Sequence, residues 1–148
     1  MEKPTKKPVL ERRAVWMEGS SLCMIDQRLL PHQVVLLRLK SASESAQAIR
    51  EMAVRGAGTI GVTAGFAMAQ AALAAEESGF WEEIERAAKE IQAARPTAKN
   101  LFYAVDRVLA AVRGDRTTGL GPVTVAKSSS DVAHARARAV AEAQATYD

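Results

Sequence analysis

The chain has 148 residues, enough for one domain with its own core, and its 48% apolar and 25% charged content is that of a globular protein, not a disordered one. A net charge of +3 is too weak to argue for nucleic-acid binding, and the basic run of Lys3, Lys6, Lys7, Arg12 and Arg13 has no interleaved aromatics. The single cysteine, Cys23, excludes an intramolecular disulfide and fits a reducing cytoplasm, and the N-terminus lacks the charged-then-apolar form of a signal peptide.

Residues 1–12 carry two prolines and little apolar pattern, so a loose tail is expected there. Ala14-Val15-Trp16-Met17 and Ser21-Leu22-Cys23-Met24-Ile25 are short apolar runs separated by Glu18-Gly19-Ser20, the punctuation of a hairpin. After Pro31 the stretch from Gln33 to Leu39 reads as a third strand, which makes residues 13–40 a small antiparallel sheet. Beyond Lys40 the apolar period lengthens from two to near 3.6. Ser41 and Glu44 have capping-box spacing, with Ser43 an equal candidate for the cap. The first helix then places Ala46, Ile49, Met52 and Ala53 inward and ends near Val54.

A second helix is expected from about Thr59 to Ala75, with Gly61, Gly65 and Ala69 as a stripe of small residues that admits a close neighbour. It is the most apolar segment, and its glycines mark it as a buried core helix and not a membrane span. Trp81, Ile84, Ala88 and Ile91 define a third helix, stopped by Arg95-Pro96. Thr97 is the expected cap of a fourth, with Leu101, Val105, Val108 and Val112 inward. A loop over 114–122 and a last helix from about Ser130 to Tyr147 complete a bundle over 41–148. The fold class is α+β, mainly α: a small N-terminal antiparallel sheet followed by about five helices.

Chemistry concentrates at Arg55-Gly56-Ala57-Gly58. Glycines at 56 and 58 let the backbone turn and approach a ligand, and the turn feeds a helix start whose N–H groups lack acceptors. With the helix dipole and a flanking arginine this makes an anion site; the plainer alternative is an ordinary turn with a solvated arginine. Arg95 stands before another helix start, and two planar guanidinium forks suit an oxyanion. Asn100 is a further polar candidate. His32 and His134 lack metal-ligand spacing, so neither metal nor cofactor is expected. Cys23 reads as a buried thiol, and Asp26 as a strand-end carboxylate bonded to the backbone. No nucleophile or acid–base pair can be assembled.

Three segments, Ile25-Asp26-Gln27-Arg28-Leu29-Leu30-Pro31, the run from Ala48-Ile49-Arg50 to Arg55-Gly56-Ala57, and Arg95-Pro96-Thr97-Ala98-Lys99-Asn100-Leu101-Phe102, occur in an order and spacing that resembles the N-terminal part of the methylthioribose-1-phosphate isomerases. That family also holds ribose-1,5-bisphosphate isomerases and the α, β and δ regulatory subunits of translation initiation factor 2B. The resemblance implies that Arg55, Gly56, Ala57 and Arg95 hold a substrate phosphate, with Gly58 and Asn100 as further candidates. It implies a cytoplasmic aldose–ketose isomerase of methionine salvage, able to form a homodimer when full-length. The family's catalytic cysteine and aspartate belong to a C-terminal Rossmann-like domain absent from these residues, so the chain alone is expected to be inactive, with that domain and a sugar phosphate as its partners. Cys23 matches neither catalytic position. Gly58-Thr59 stands where the isomerases usually have Pro-Ala, and Lys99 where an apolar residue is usual. The alternative is a non-catalytic regulatory subunit related to initiation factor 2B.

Overall fold

A computed structural model of the chain describes residues 14–113 and 129–147; the expected tail over 1–12 and loop over 114–122 lie outside the described residues. Three strands, β1 (Val15–Glu18), β2 (Ser21–Ile25) and β3 (Leu36–Leu39), form an antiparallel meander. Glu18 pairs with Ser21, so the hairpin closes through two residues, with Gly19 at φ 60° where a left-handed backbone is needed. The third strand begins later than its apolar pattern suggests. The Gln33 N–H turns back to the Leu29 carbonyl, at 2.9 Å, and pairing with β2 starts only at Leu36.

Five helices follow: α1 (Ala42–Arg50), α2 (Ala57–Ala74), α3 (Phe80–Ala94), α4 (Lys99–Val112) and α5 (Ser129–Tyr147). The α+β, mainly helical reading therefore holds. Ser41, not Ser43, caps α1. Its hydroxyl accepts the Glu44 N–H while the Glu44 carboxylate accepts the Lys40 N–H, much as in a capping box. The helix stops four residues short of the expected Val54. Met52 adopts φ 63°, its N–H goes to Ile49, and the Ala53 N–H reaches the Ala48 carbonyl at 2.9 Å. These are the two bonds of a Schellman cap, with methionine where glycine is usual. The left-handed turn sends Met52 outward, to 43% exposure, and corrects its expected place in the core.

Helix α2 is the hub. It packs against each of the other four helices and against β1 and β2. Twelve of its residues are buried, which is why it can be apolar all round. Its one long polar core residue, Gln70, is satisfied on both sides: the amide donates to the Ser20 and Leu39 carbonyls and accepts from the Ser45 hydroxyl. That network ties α2 to the hairpin turn, to the end of β3 and to α1. In α5 the alternation of alanine and arginine has a mechanical meaning. Ala135 and Ala139 are buried, while Arg136 donates to the carbonyls of Ala72 and Ala75 and Arg138 to those of Ala111 and Val112. Two arginines on one helix thus each bond two carbonyls at the C-terminal end of another.

Candidate functional site

The glycine turn between α1 and α2 is shaped by one unusual residue. Gly56, the N-cap of α2, sits at φ 90° and ψ 135°, a region closed to side-chain-bearing residues, and offers no side chain to cap the helix. The first backbone bond inside the helix runs from the Ile60 N–H to the Gly56 carbonyl, at 2.9 Å. The preceding N–H groups of Ala57, Gly58 and Thr59 belong to the first turn and have no acceptor four residues back. A Cβ on either Gly56 or Gly58 would meet nothing within 4 Å, so the mouth of the turn is open. Of the two glycines, only Gly56 is demanded by the backbone; Gly58 lies within the helix at an ordinary φ and, contrary to expectation, takes no part in turning the chain.

Helix α4 begins beside this turn. The Cα of Gly61 faces Asn100 so closely that an added Cβ would lie 3.2 Å from the Asn100 carbonyl oxygen. The N-cap of α4 is Ala98, with no side-chain hydrogen bond, so Thr97 does not cap it; Thr97 is exposed. Arg95 ends α3 and is half-buried, its carbonyl accepting the Ala98 N–H at 3.0 Å. Arg55 is exposed, and neither Arg55 nor Arg95 has an ion-pair partner among the described residues. Asn100 is exposed at the joint between the two helix starts. The structure therefore brings Asn100 to the first turns of α2 and puts Arg95 on the segment leading into α4.

The two helix starts also share an electrostatic property. Helix α1 carries Glu44 in its first turn and α3 carries Glu82 and Glu83, which offset the positive end of each dipole. Helices α2 and α4 have no acid in the first turn and no side-chain cap. Their positive ends are left uncompensated, side by side.

Sequence reasoning passed over Gln27. Its side-chain oxygen accepts the Arg55 N–H at 2.9 Å, across 28 positions of chain. Its neighbours are structural. Asp26 is buried and accepts both the Arg28 N–H, at 3.1 Å, and its guanidinium, at 2.8 and 2.9 Å; Arg28 also reaches Glu51 at 3.3 Å. The side-chain hydrogen bond from Arg28 holds the Asp26 carboxyl below its usual range, against burial. Cys23 is buried in β2, and burial, with Glu18 nearby, pushes its thiol up to about 11. The expected buried thiol is therefore found. The described residues contain no cluster of three or more His, Cys, Asp or Glu able to hold a metal.

The model of the initiation factor 2 subunit family matches residues 53–148. Methylthioribose-1-phosphate isomerase of Roseiflexus castenholzii is 38% identical over 130 residues, covering 83% of this chain and 36% of that protein. The putative methylthioribose-1-phosphate isomerase of Methanothermobacter thermautotrophicus is 49% identical over 94 residues, covering 64% and 28%. Among solved structures, the 5-methylthioribose 1-phosphate isomerase of Pyrococcus horikoshii superposes with a TM-score of 0.76 at 31% identity, covering 90% of this chain and 35% of that one. The delta subunit of translation initiation factor eIF-2B from A. fulgidus gives 0.75 at 27% identity, covering 90% and 36%. The chain spans about a third of the length of the relatives it matches.

Proposed function

Because the chain belongs to the initiation factor 2 subunit family, we propose that it is the phosphate-holding part of a sugar-phosphate aldose–ketose isomerase acting in the cytoplasm on methylthioribose 1-phosphate or a close analogue. The observation that carries this reading is the pair of uncompensated helix starts: α2 and α4 meet at Gly61 and Asn100 with neither acid nor side-chain cap at either end. A doubly charged phosphate is the ligand that such an end attracts, through first-turn N–H groups and the dipole together. Arg55 and Arg95, each without an ion-pair partner among the described residues, add planar forks that match phosphate oxygens. Gly56 and Ala57 shape the approach, and Gly58 and Asn100 complete the rim.

The chemistry at C1 and C2 of the sugar is assigned to the remainder of a longer protein, since the phosphate-holding groups include no acid–base pair. Phosphorylation of C1 locks the ring, so the phosphate is both a handle and the reason a specialised isomerase is needed. On this reading the chain binds phosphosugar weakly and turns nothing over by itself, and a homodimer belongs to the full-length protein. The likeness to the eIF-2B delta subunit favours a second reading, a regulatory domain that keeps the fold without the reaction.

Calorimetric titration with inorganic phosphate and with methylthioribose 1-phosphate tests the site, on the chain itself and on Arg55→Ala and Arg95→Ala. Each substitution is expected to weaken binding about tenfold or more, the scale of a lost charge-assisted pair. Equal binding by all three proteins removes the cradle. Turnover of methylthioribose 1-phosphate above background by the chain alone removes the assignment of catalysis elsewhere.

A further inference from the structure

We propose that Gln27 is a positioning residue for the glycine turn, an inference that rests on the anion site assigned above. Gln27 grips the segment between α1 and α2 at two points. Its backbone N–H donates to the Ala53 carbonyl at 2.8 Å, and its side-chain Oε1 accepts the Arg55 N–H at 2.9 Å. One residue thus holds the segment just after the α1 cap and again at Arg55, just before Gly56. The hold is not duplicated. Among the described residues, no other side chain hydrogen-bonds the backbone of residues 54–58.

The grip is anchored on both sides. The Asp26 N–H donates to the Val35 carbonyl at 2.8 Å, and the Asp26–Arg28–Glu51 pairs tie the segment to the end of α1. Because Gln27 occupies the Arg55 N–H, that backbone donor is withdrawn from the ligand, while the first-turn N–H groups of α2 lack an intrahelical acceptor. The choice of an amide over an acid also matters. A carboxylate would accept the same N–H but place a negative charge beside a site for an anion, whereas Gln27 is neutral.

Gln27→Met keeps the length and removes the acceptor; Gln27→Glu keeps an acceptor and adds charge. The measurements are amide hydrogen exchange by NMR without ligand, and titration with inorganic phosphate, all on the whole chain. In Gln27→Met the Arg55 amide is expected to exchange about three- to tenfold faster and phosphate to bind about three- to tenfold more weakly, the range of one lost hydrogen bond. Core amides from Phe66 to Ala72 keep their rates. In Gln27→Glu the Arg55 amide stays protected while phosphate binding weakens. Unchanged Arg55 exchange in Gln27→Met overturns the proposal, and so does faster exchange that spreads equally to the core of α2. Should the unsubstituted chain bind no phosphate while Arg55 still responds to Gln27→Met, the anion reading falls and the grip on the turn stands.

Discussion

Gly61 of α2 lies against the backbone of Asn100 at the start of α4, and a methyl group there would stand 3.2 Å from the Asn100 carbonyl oxygen and 3.4 Å from its Cβ. Two effects of Gly61→Ala oppose each other. Helix propensity favours alanine by roughly 1 kcal/mol, while crowding a packed joint costs about 1–3 kcal/mol. The obstructing atom is main chain, which cannot rotate away, so crowding should win. A net loss of about 1 kcal/mol is expected from urea denaturation, with NMR shift changes concentrated at Ala98–Leu101. A gain in stability would mean that α4 can slide aside.

Gly56 and Gly58 should respond differently to alanine, although neither would clash. At φ 90° Gly56→Ala is strained by the backbone alone and should cost about 1–3 kcal/mol. Gly58→Ala, inside the first turn of α2, should be neutral or stabilising by about 0.4–1 kcal/mol through the unfolded chain. Equal thermal shifts for the two variants would contradict this assignment of backbone geometry.

Arg136 closes the C-terminal end of α2 with bonds to Ala72 and Ala75, and its guanidinium lies 5.8 Å from the centre of the Phe80 ring. Arg136→Ala should destabilise the fold by about 1–2 kcal/mol, and Arg136→Lys should recover only part of that, because an ammonium lacks the planar fork. Denaturant melts of the three proteins decide it. Full recovery by lysine would show that charge alone matters at this helix end.

Asp26 makes stability depend on pH in a definite direction. Its folded pKa lies below the unfolded value, so its contribution is present at neutral pH and is lost as pH falls below roughly 4 and through the folded value. Asp26→Asn should lower stability at pH 7 by about 1–2 kcal/mol, and the gap from the parent should narrow on acidification. Stability curves that run parallel from neutral to acid pH would show that the Asp26–Arg28 pair carries no weight.

Much of this architecture could be read from local pattern. The hairpin follows from Gly19 between two apolar runs. The inward faces of α3 and α4 follow from Ile84, Ala88 and Ile91 and from Leu101, Val105, Val108 and Val112, all of which are buried. The α1 cap follows from the spacing of Ser41 and Glu44. Helix ends were less legible. Met52 continues the apolar period of α1, yet the Schellman bonds to Ile49 and Ala48 end the helix before it, since a cap depends on backbone conformation and not on side-chain hydrophobicity.

The sequence by itself determined the fold class, the buried character of α2 and the choice of Arg55, Gly56 and Arg95 as candidates, because periodicity and turn chemistry act over a few residues; Ala57 joined them only through the family resemblance. Tertiary structure alone decided that the starts of α2 and α4 meet at Gly61 and Asn100, that Gln27 holds Arg55, and that Arg136 and Arg138 close the ends of α2 and α4. Each of these contacts joins residues 26 to 64 positions apart. No local pattern encodes such pairings; they form only once burial of the shared core has brought the elements together, when the polar groups left at their ends must find partners.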